Sequence, residues 1–184
     1  MGRPKQFSRH GVLEKALPVF WRHGFADTTL QELELATGVN KSGLYAEFDS
    51  KEDLFLESLR YYIEDQGKRG LLTAQPLGWR NIERFLRLGP GNSEGRKGCF
   101  CVNSMRDLSI LPPRAAALVA QHIAHLKHLA VQNIDAERTS MGAESIADMV
   151  LTFFTGLSME HNLEQNRALV LRKIRRFMQV IQSL

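Results

Sequence analysis

Residues 28–48 read TTLQELELATGVNKSGLYAEF, and this stretch decides the fold. Leu30, Leu33 and Ala36 recur at helical spacing and give a first short helix one apolar face. Thr28 or Thr29 can cap its start, because a hydroxyl satisfies an otherwise orphan backbone N–H. Gly38 ends it, since the residue past a helix often needs the left-handed conformation that glycine reaches without strain. Val39 then fills the corner. Asn40 is a cap for a second short helix carrying Leu44, Tyr45 and Phe48. Two short helices meeting at a glycine turn are the grammar of a helix-turn-helix. The second begins Lys41-Ser42-Gly43, small and hydrogen-bonding groups where a major-groove reader needs them.

Outward from this stretch the chain reads as helices throughout. Ser8 or Arg9 starts a helix running to about His23, with Val12, Leu13, Ala16, Leu17, Phe20 and Trp21 as its apolar face. Pro18 inside it removes one backbone donor and predicts a local kink, and Gly24 ends it. Ser50-Lys51-Glu52-Asp53 reads as a capping box, with Asp53 in the usual glutamate position. It opens a fourth helix that buries Leu54, Phe55, Leu59, Tyr62 and Ile63 and frays near Gly67–Gly70. Later helices are expected at about 79–88, from about 98 to the prolines at 112 and 113, and at about 114–134, 143–161 and 164–183. Residues 89–95 are the clearest loop. The expectation is an all-α protein of about nine helices, with no strand pattern and no solenoid repeat.

Several spaced features carry a resemblance. Leu44-Tyr45-Ala46-Glu47-Phe48, then Ser50-Lys51-Glu52-Asp53-Leu54-Phe55, with Gly24-Phe25 just before Thr28-Thr29, resemble the DNA-binding domain of TetR-type transcriptional regulators. The resemblance covers about residues 6–66. It implies a three-helix helix-turn-helix domain there and a helical effector-binding and dimerisation domain over 67–184. It also implies that recognition-helix side chains enter the major groove while flanking groups hold phosphates. Carried onto this chain, the candidate DNA contacts are Thr28, Thr29, Asn40, Lys41, Ser42, Gly43, Tyr45 and Lys51. Arg3 and Lys5, in a proline- and glycine-punctuated arm, are candidates for the minor groove or phosphates, or else belong to a solvated tail. Glu47 stands where a phosphate donor is usual, and an ionised carboxylate cannot donate.

Charge agrees in its distribution more than in its total. The 184 residues carry a net +4. Residues 1–70 hold ten Lys/Arg against eleven Asp/Glu, but residues 1–23 hold five against one. The edge expected to face DNA is locally basic.

One such domain reads one half-site, so a homodimer on near-palindromic double-stranded operator DNA is expected. The last two helices, about 143–184, offer the apolar faces for it, which could equally fill the monomer core. The resemblance further implies repression, relieved when an unidentified small effector enters the C-terminal domain and the fourth helix transmits the shift. Candidate effector contacts are Trp79, Phe85, Met105, Phe153 and Phe154, each of which also suits ordinary packing. Cys99 and Cys101 open an alternative, a thiol- or metal-responsive sensor on the same scaffold. Arg96, Lys97 or a helix terminus could activate a thiol there; two buried, inert cysteines are the plainer reading. His122, His125 and His128 spread over about 120° of one helix, a poor arrangement for one ion, so no metal site is assigned beyond His122 and His125 as effector candidates. No cofactor is expected and no enzyme, since no phosphate loop or nucleophile elbow is present. No secretory or membrane segment is read, so a cytoplasmic location is expected.

Overall fold

The structure is a computed structural model, and it describes residues 7–65, 68–88, 98–161 and 166–184. Ten α-helices occur among the described residues. They are α1 (Arg9–Asp27), α2 (Leu30–Thr37), α3 (Lys41–Tyr45), α4 (Lys51–Asp65), α5 (Lys68–Leu72), α6 (Trp79–Leu88), α7 (Phe100–Ser104), α8 (Pro113–Asp135), α9 (Ala143–Glu160) and α10 (Arg167–Ile181). One 3-10 turn, Met105–Asp107, joins α7 to α8. No strand occurs among the described residues. The tenth helix is α5, formed where fraying of the fourth helix was expected.

Several boundaries have a local cause. The Ser8 hydroxyl accepts from the N–H of Gly11 and caps α1. Helical geometry inside α1 breaks at Gly24 (φ 81°) rather than at Pro18. The expected helix between residues 98 and 112 stops early, at Ser104, and tightens into the 3-10 turn. Pro113 then opens α8 at its first position, where a missing N–H costs nothing.

The core is continuous. An aromatic cluster ties α1, α4 and α7 together: Phe20 on Phe55 at 5.1 Å, Trp21 on Tyr62 at 4.9 Å, and Phe55 on Phe100 at 5.7 Å between ring centroids. Such rings dominate core energetics, each contributing roughly 1.5–3 kcal/mol by burial. α4 also packs on α8, and α8 lies along α9. A buried amide clips the loop before α6 onto α8. Asn133, fully buried, donates to the carbonyls of Leu72 (2.7 Å) and Leu129 (2.8 Å) and accepts from the N–H of Gly78 (3.0 Å) and from Asn81 (2.9 Å).

The apolar spine of α10 is consumed within the chain: Val170, Ile174, Met178 and Ile181 are all buried. Its exposed face carries Arg167, Arg172, Arg175 and Arg176. No helix among the described residues is long and apolar enough to cross a membrane.

Candidate nucleic-acid interface

α2 is fixed at both ends by its own sequence. Thr29 and Glu32 form a reciprocal capping box, the hydroxyl accepting from Glu32 N–H and the carboxylate accepting from Thr29 N–H at 2.8 Å. The Thr29 N–H and hydroxyl, with some help from His23, hold the Glu32 carboxyl below its usual range. Gly38 closes the helix in the left-handed region (φ 73°), and Val39 is buried behind it. The buried face differs from the expected one in one place. Ala36 is exposed, and Thr37 is buried instead because its hydroxyl donates to the Leu33 carbonyl at 2.7 Å.

α3 is a single short turn set by Asn40, whose side chain accepts from the N–H of Gly43 at 2.9 Å. Asn40, Lys41, Ser42 and Tyr45 are exposed along this element. The Lys41 ammonium lies 5.8 Å from the Tyr45 ring centroid, and the Ser42 hydroxyl donates to Asn40 Oδ1 at 3.0 Å. Lys41 and Tyr45 thus form one pre-arranged edge. Gly43 has a packing reason of its own. A Cβ there would sit 2.7 Å from Val39 and 3.3 Å from Phe7.

Two of the remaining candidates turn inward. Thr28 is buried, and its hydroxyl donates to the Gly24 carbonyl at 2.6 Å. The Lys51 ammonium donates to the carbonyls of Phe25 and Thr28, both at 3.0 Å, and rests 4.6 Å from the Phe25 ring centroid. It clasps the α1–α2 corner to the start of α4. Thr29 stays at the exposed rim. Arg3 and Lys5 lie outside the described residues.

Sequence reasoning gave Arg9 no contact, only a helix start and a charge. Its guanidinium lies over the Phe48 ring at 4.3 Å, pairs with Glu57 at 3.2 Å and donates to the Glu47 carbonyl. The expected box at α4 is displaced by one residue: Ser50 Oγ accepts from Asp53 N–H, but Asp53 reaches the N–H of Asp49. The Glu52 carboxyl is held below its usual range by its own N–H and by the Ser50 hydroxyl.

The effector candidates do not converge. A cavity of about 740 Å³ opens between α8 and α9, walled by Val119, Ile123 and Leu151, and of the nine candidates only Met105 lines it. Phe85 and Phe154 are stacked at 4.6 Å and fully buried. Phe153 is stacked on Phe177 at 4.0 Å, and Trp79 is half-buried. His122 is buried and His125 exposed on the same helix. Cys99 and Cys101 are 1% and 0% exposed, and the Tyr62 hydroxyl donates to the Cys99 sulfur at 3.3 Å. Burial, then the two neighbouring thiols, push the Tyr62 hydroxyl well above its ordinary value. Arg96 and Lys97 lie outside the described residues. No group of three or more His, Cys, Asp or Glu able to hold a metal occurs among the described residues. The cavity also exposes Lys127, unremarked in the sequence, which pairs with Asp148 at 2.7 Å and Glu144 at 3.1 Å. Those two carboxylates, Asp148 first, raise its affinity for a proton.

Comparison with known proteins bears on the family and the fold. The family described as bacterial regulatory proteins, tetR family, matches residues 12–58. The transcriptional repressor ComR of Escherichia coli K12 is 49% identical over 63 residues, which are 34% of this chain and 30% of ComR. The chain thus spans under a third of that relative's length. The repressor BdcR of the same strain is 25% identical over 173 residues, 89% of this chain and 86% of BdcR. A cysteine-substituted TetR family regulator, CifR, solved with 26-base-pair operator DNA, superposes with a TM-score of 0.85 at 25% identity, covering 98% of this chain and all of that one. Residues 12–58 thus match the DNA-binding domain of the TetR family of bacterial regulatory proteins, and the chain as a whole has the fold of a TetR-type regulator.

Proposed function

We propose that this chain is a homodimeric transcriptional repressor that binds a near-palindromic operator and releases it when a small molecule occupies the α8–α9 cavity. The observation that carries the DNA reading is α3. It is short, capped by Asn40, and presents Lys41, Ser42 and Tyr45 together on an exposed edge. A lysine at such a position can meet guanine acceptors, and a tyrosine hydroxyl can meet a phosphate. Thr29 and the arm with Arg3 and Lys5 complete the contact set. Lys51 acts by holding the corner rather than by reaching outward. The working division is a DNA-binding domain at 6–66 and an effector and dimerisation domain at 67–184, hinged through α4.

Dimer contact is assigned to residues 143–184, and within them to the face of α9 around Met149 and Phe153, edged by Phe177. The arginines of α10 would face their own copies across a two-fold axis if that helix lay at its centre, and like charges there cost affinity. Support also comes from the relatives, two called repressors and one solved on operator DNA. The burial of Cys99 and Cys101 does not favour thiol sensing.

The test is selection of duplexes from a random pool by the full chain at fixed salt. Enrichment of an inverted repeat with half-sites about one helical turn apart is expected. Enrichment of no sequence would refute the reading.

A further inference from the structure

The 3-10 turn after α7 has two faces. Met105 and Leu108 line the α8–α9 cavity. Between them, Asp107 points to the other half of the molecule. It is 9% exposed, and its Oδ2 accepts the backbone N–H of Phe25 at 3.1 Å in a buried position, while Oδ1 pairs with Arg106 at 3.3 Å. Gly24 sits directly against this turn with φ 81°, and a Cβ there would lie 2.6 Å from both Arg106 and Asp107. The contacts continue. The Phe25 and Thr28 carbonyls receive the Lys51 ammonium, the Thr28 hydroxyl returns to Gly24, and Thr29 caps α2. A short path therefore runs from the cavity wall to the first turn of the helix-turn-helix without following the length of α4.

We propose that Asp107 is the positioning residue that seats the α1–α2 corner for DNA binding, and that an apolar occupant pressing on Met105 and Leu108 withdraws it. The apolar class follows from the walls, Val119, Ile123 and Leu151. The inference rests on the repressor reading and names its internal switch. A carboxylate that accepts one buried N–H 82 residues away is a two-position contact, made or broken by a small shift of the turn.

The experiment uses the full chain, the duplex selected by the wild type, and a phenyl group built into the cavity as the occupant. Ala120→Phe places that ring from α8, outside the proposed dimer helices. Ala120→Phe and Asp107→Ala are each expected to weaken operator binding about tenfold, within the ordinary range of coupling between sites. The double variant should be no weaker than the poorer single variant to within about twofold, because both break one contact. Asp107→Asn keeps an oxygen to accept from Phe25, so it should bind like the wild type and still respond to Ala120→Phe. Hydrogen exchange at the Phe25 amide, read without DNA, should speed up in Ala120→Phe and Asp107→Ala and stay slow in Asp107→Asn. Multiplying losses in the double variant, or Phe25 protection unchanged by Ala120→Phe, would overturn the proposal. A wild type that enriches no duplex would remove the repressor reading and the switch with it, a result told apart by the exchange data.

Discussion

The recognition half and the cavity half hold their backbones by different means. In the first, caps lie three residues apart: Ser8 with Gly11, Thr29 with Glu32, Asn40 with Gly43, Ser50 with Asp53. In the second, α10 has such a cap in Asn166, but α7, α8 and α9 begin without any side-chain cap. Their neighbourhood is held from far away instead. Asn133 reaches Gly78 across 55 residues, Glu137 reaches the N–H of Trp79 across 58, and Asp107 reaches Phe25 across 82. A region stitched locally keeps its shape when its neighbours move. A region held at long range moves as a whole, and that suits a sensor.

Substitutions can break this contrast. The largest stability loss is expected for Phe55→Ala, at the junction of the halves, where the ring is 1% exposed and meets Phe20, Phe25 and Phe100. It should cost about 3–5 kcal/mol in urea unfolding. A loss below 1 kcal/mol would mean that the halves do not share this core. Asn133→Ala should cost about 3 kcal/mol, since it leaves buried carbonyls and an N–H without their partner. A single cooperative transition should shift, whereas a separate early transition of the cavity half would show the halves to be less tightly joined.

The smallest effect sharpens the local side. Thr29→Ala should cost about 1 kcal/mol at neutral pH. It also removes the hydroxyl that, after the Thr29 backbone N–H, depresses the Glu32 carboxyl. Because that folded-state value lies below 4.5, the stabilisation is present above pH 4.5 and fades as pH falls through the folded value. The gap between wild type and variant should therefore narrow in acid. A constant gap from neutral to strongly acidic pH would show that the capping box contributes nothing through its charge.

The same contrast explains what the sequence discloses. The helix-turn-helix is legible because Gly38, Asn40 and Thr29 act on residues within a few positions. The all-helical class is legible from periodicity. Thr28 and Lys51 look like surface donors in a linear reading, yet their partners, the carbonyls of Gly24, Phe25 and Thr28, turn them inward. Ala36 and Thr37 exchange roles because one hydrogen bond makes a buried threonine acceptable. The cavity was the least legible feature. Small residues such as Ala120, Ala124 and Gly156 wall it alongside the larger side chains, and no spacing rule marks a space that larger side chains leave unfilled. Asp107 was invisible for the same reason, since its partner is a backbone N–H in another helix.

The central claim is that the α3 edge reads DNA. The direct measurement is the equilibrium affinity of the full chain for its selected duplex, wild type against Lys41→Ala with Tyr45→Ala, over a series of salt concentrations. With one to three kcal/mol at stake per specific contact, the account predicts a loss of about 100-fold or more and a shallower salt dependence. Affinity and salt dependence both unchanged, in a variant that still folds, would contradict it.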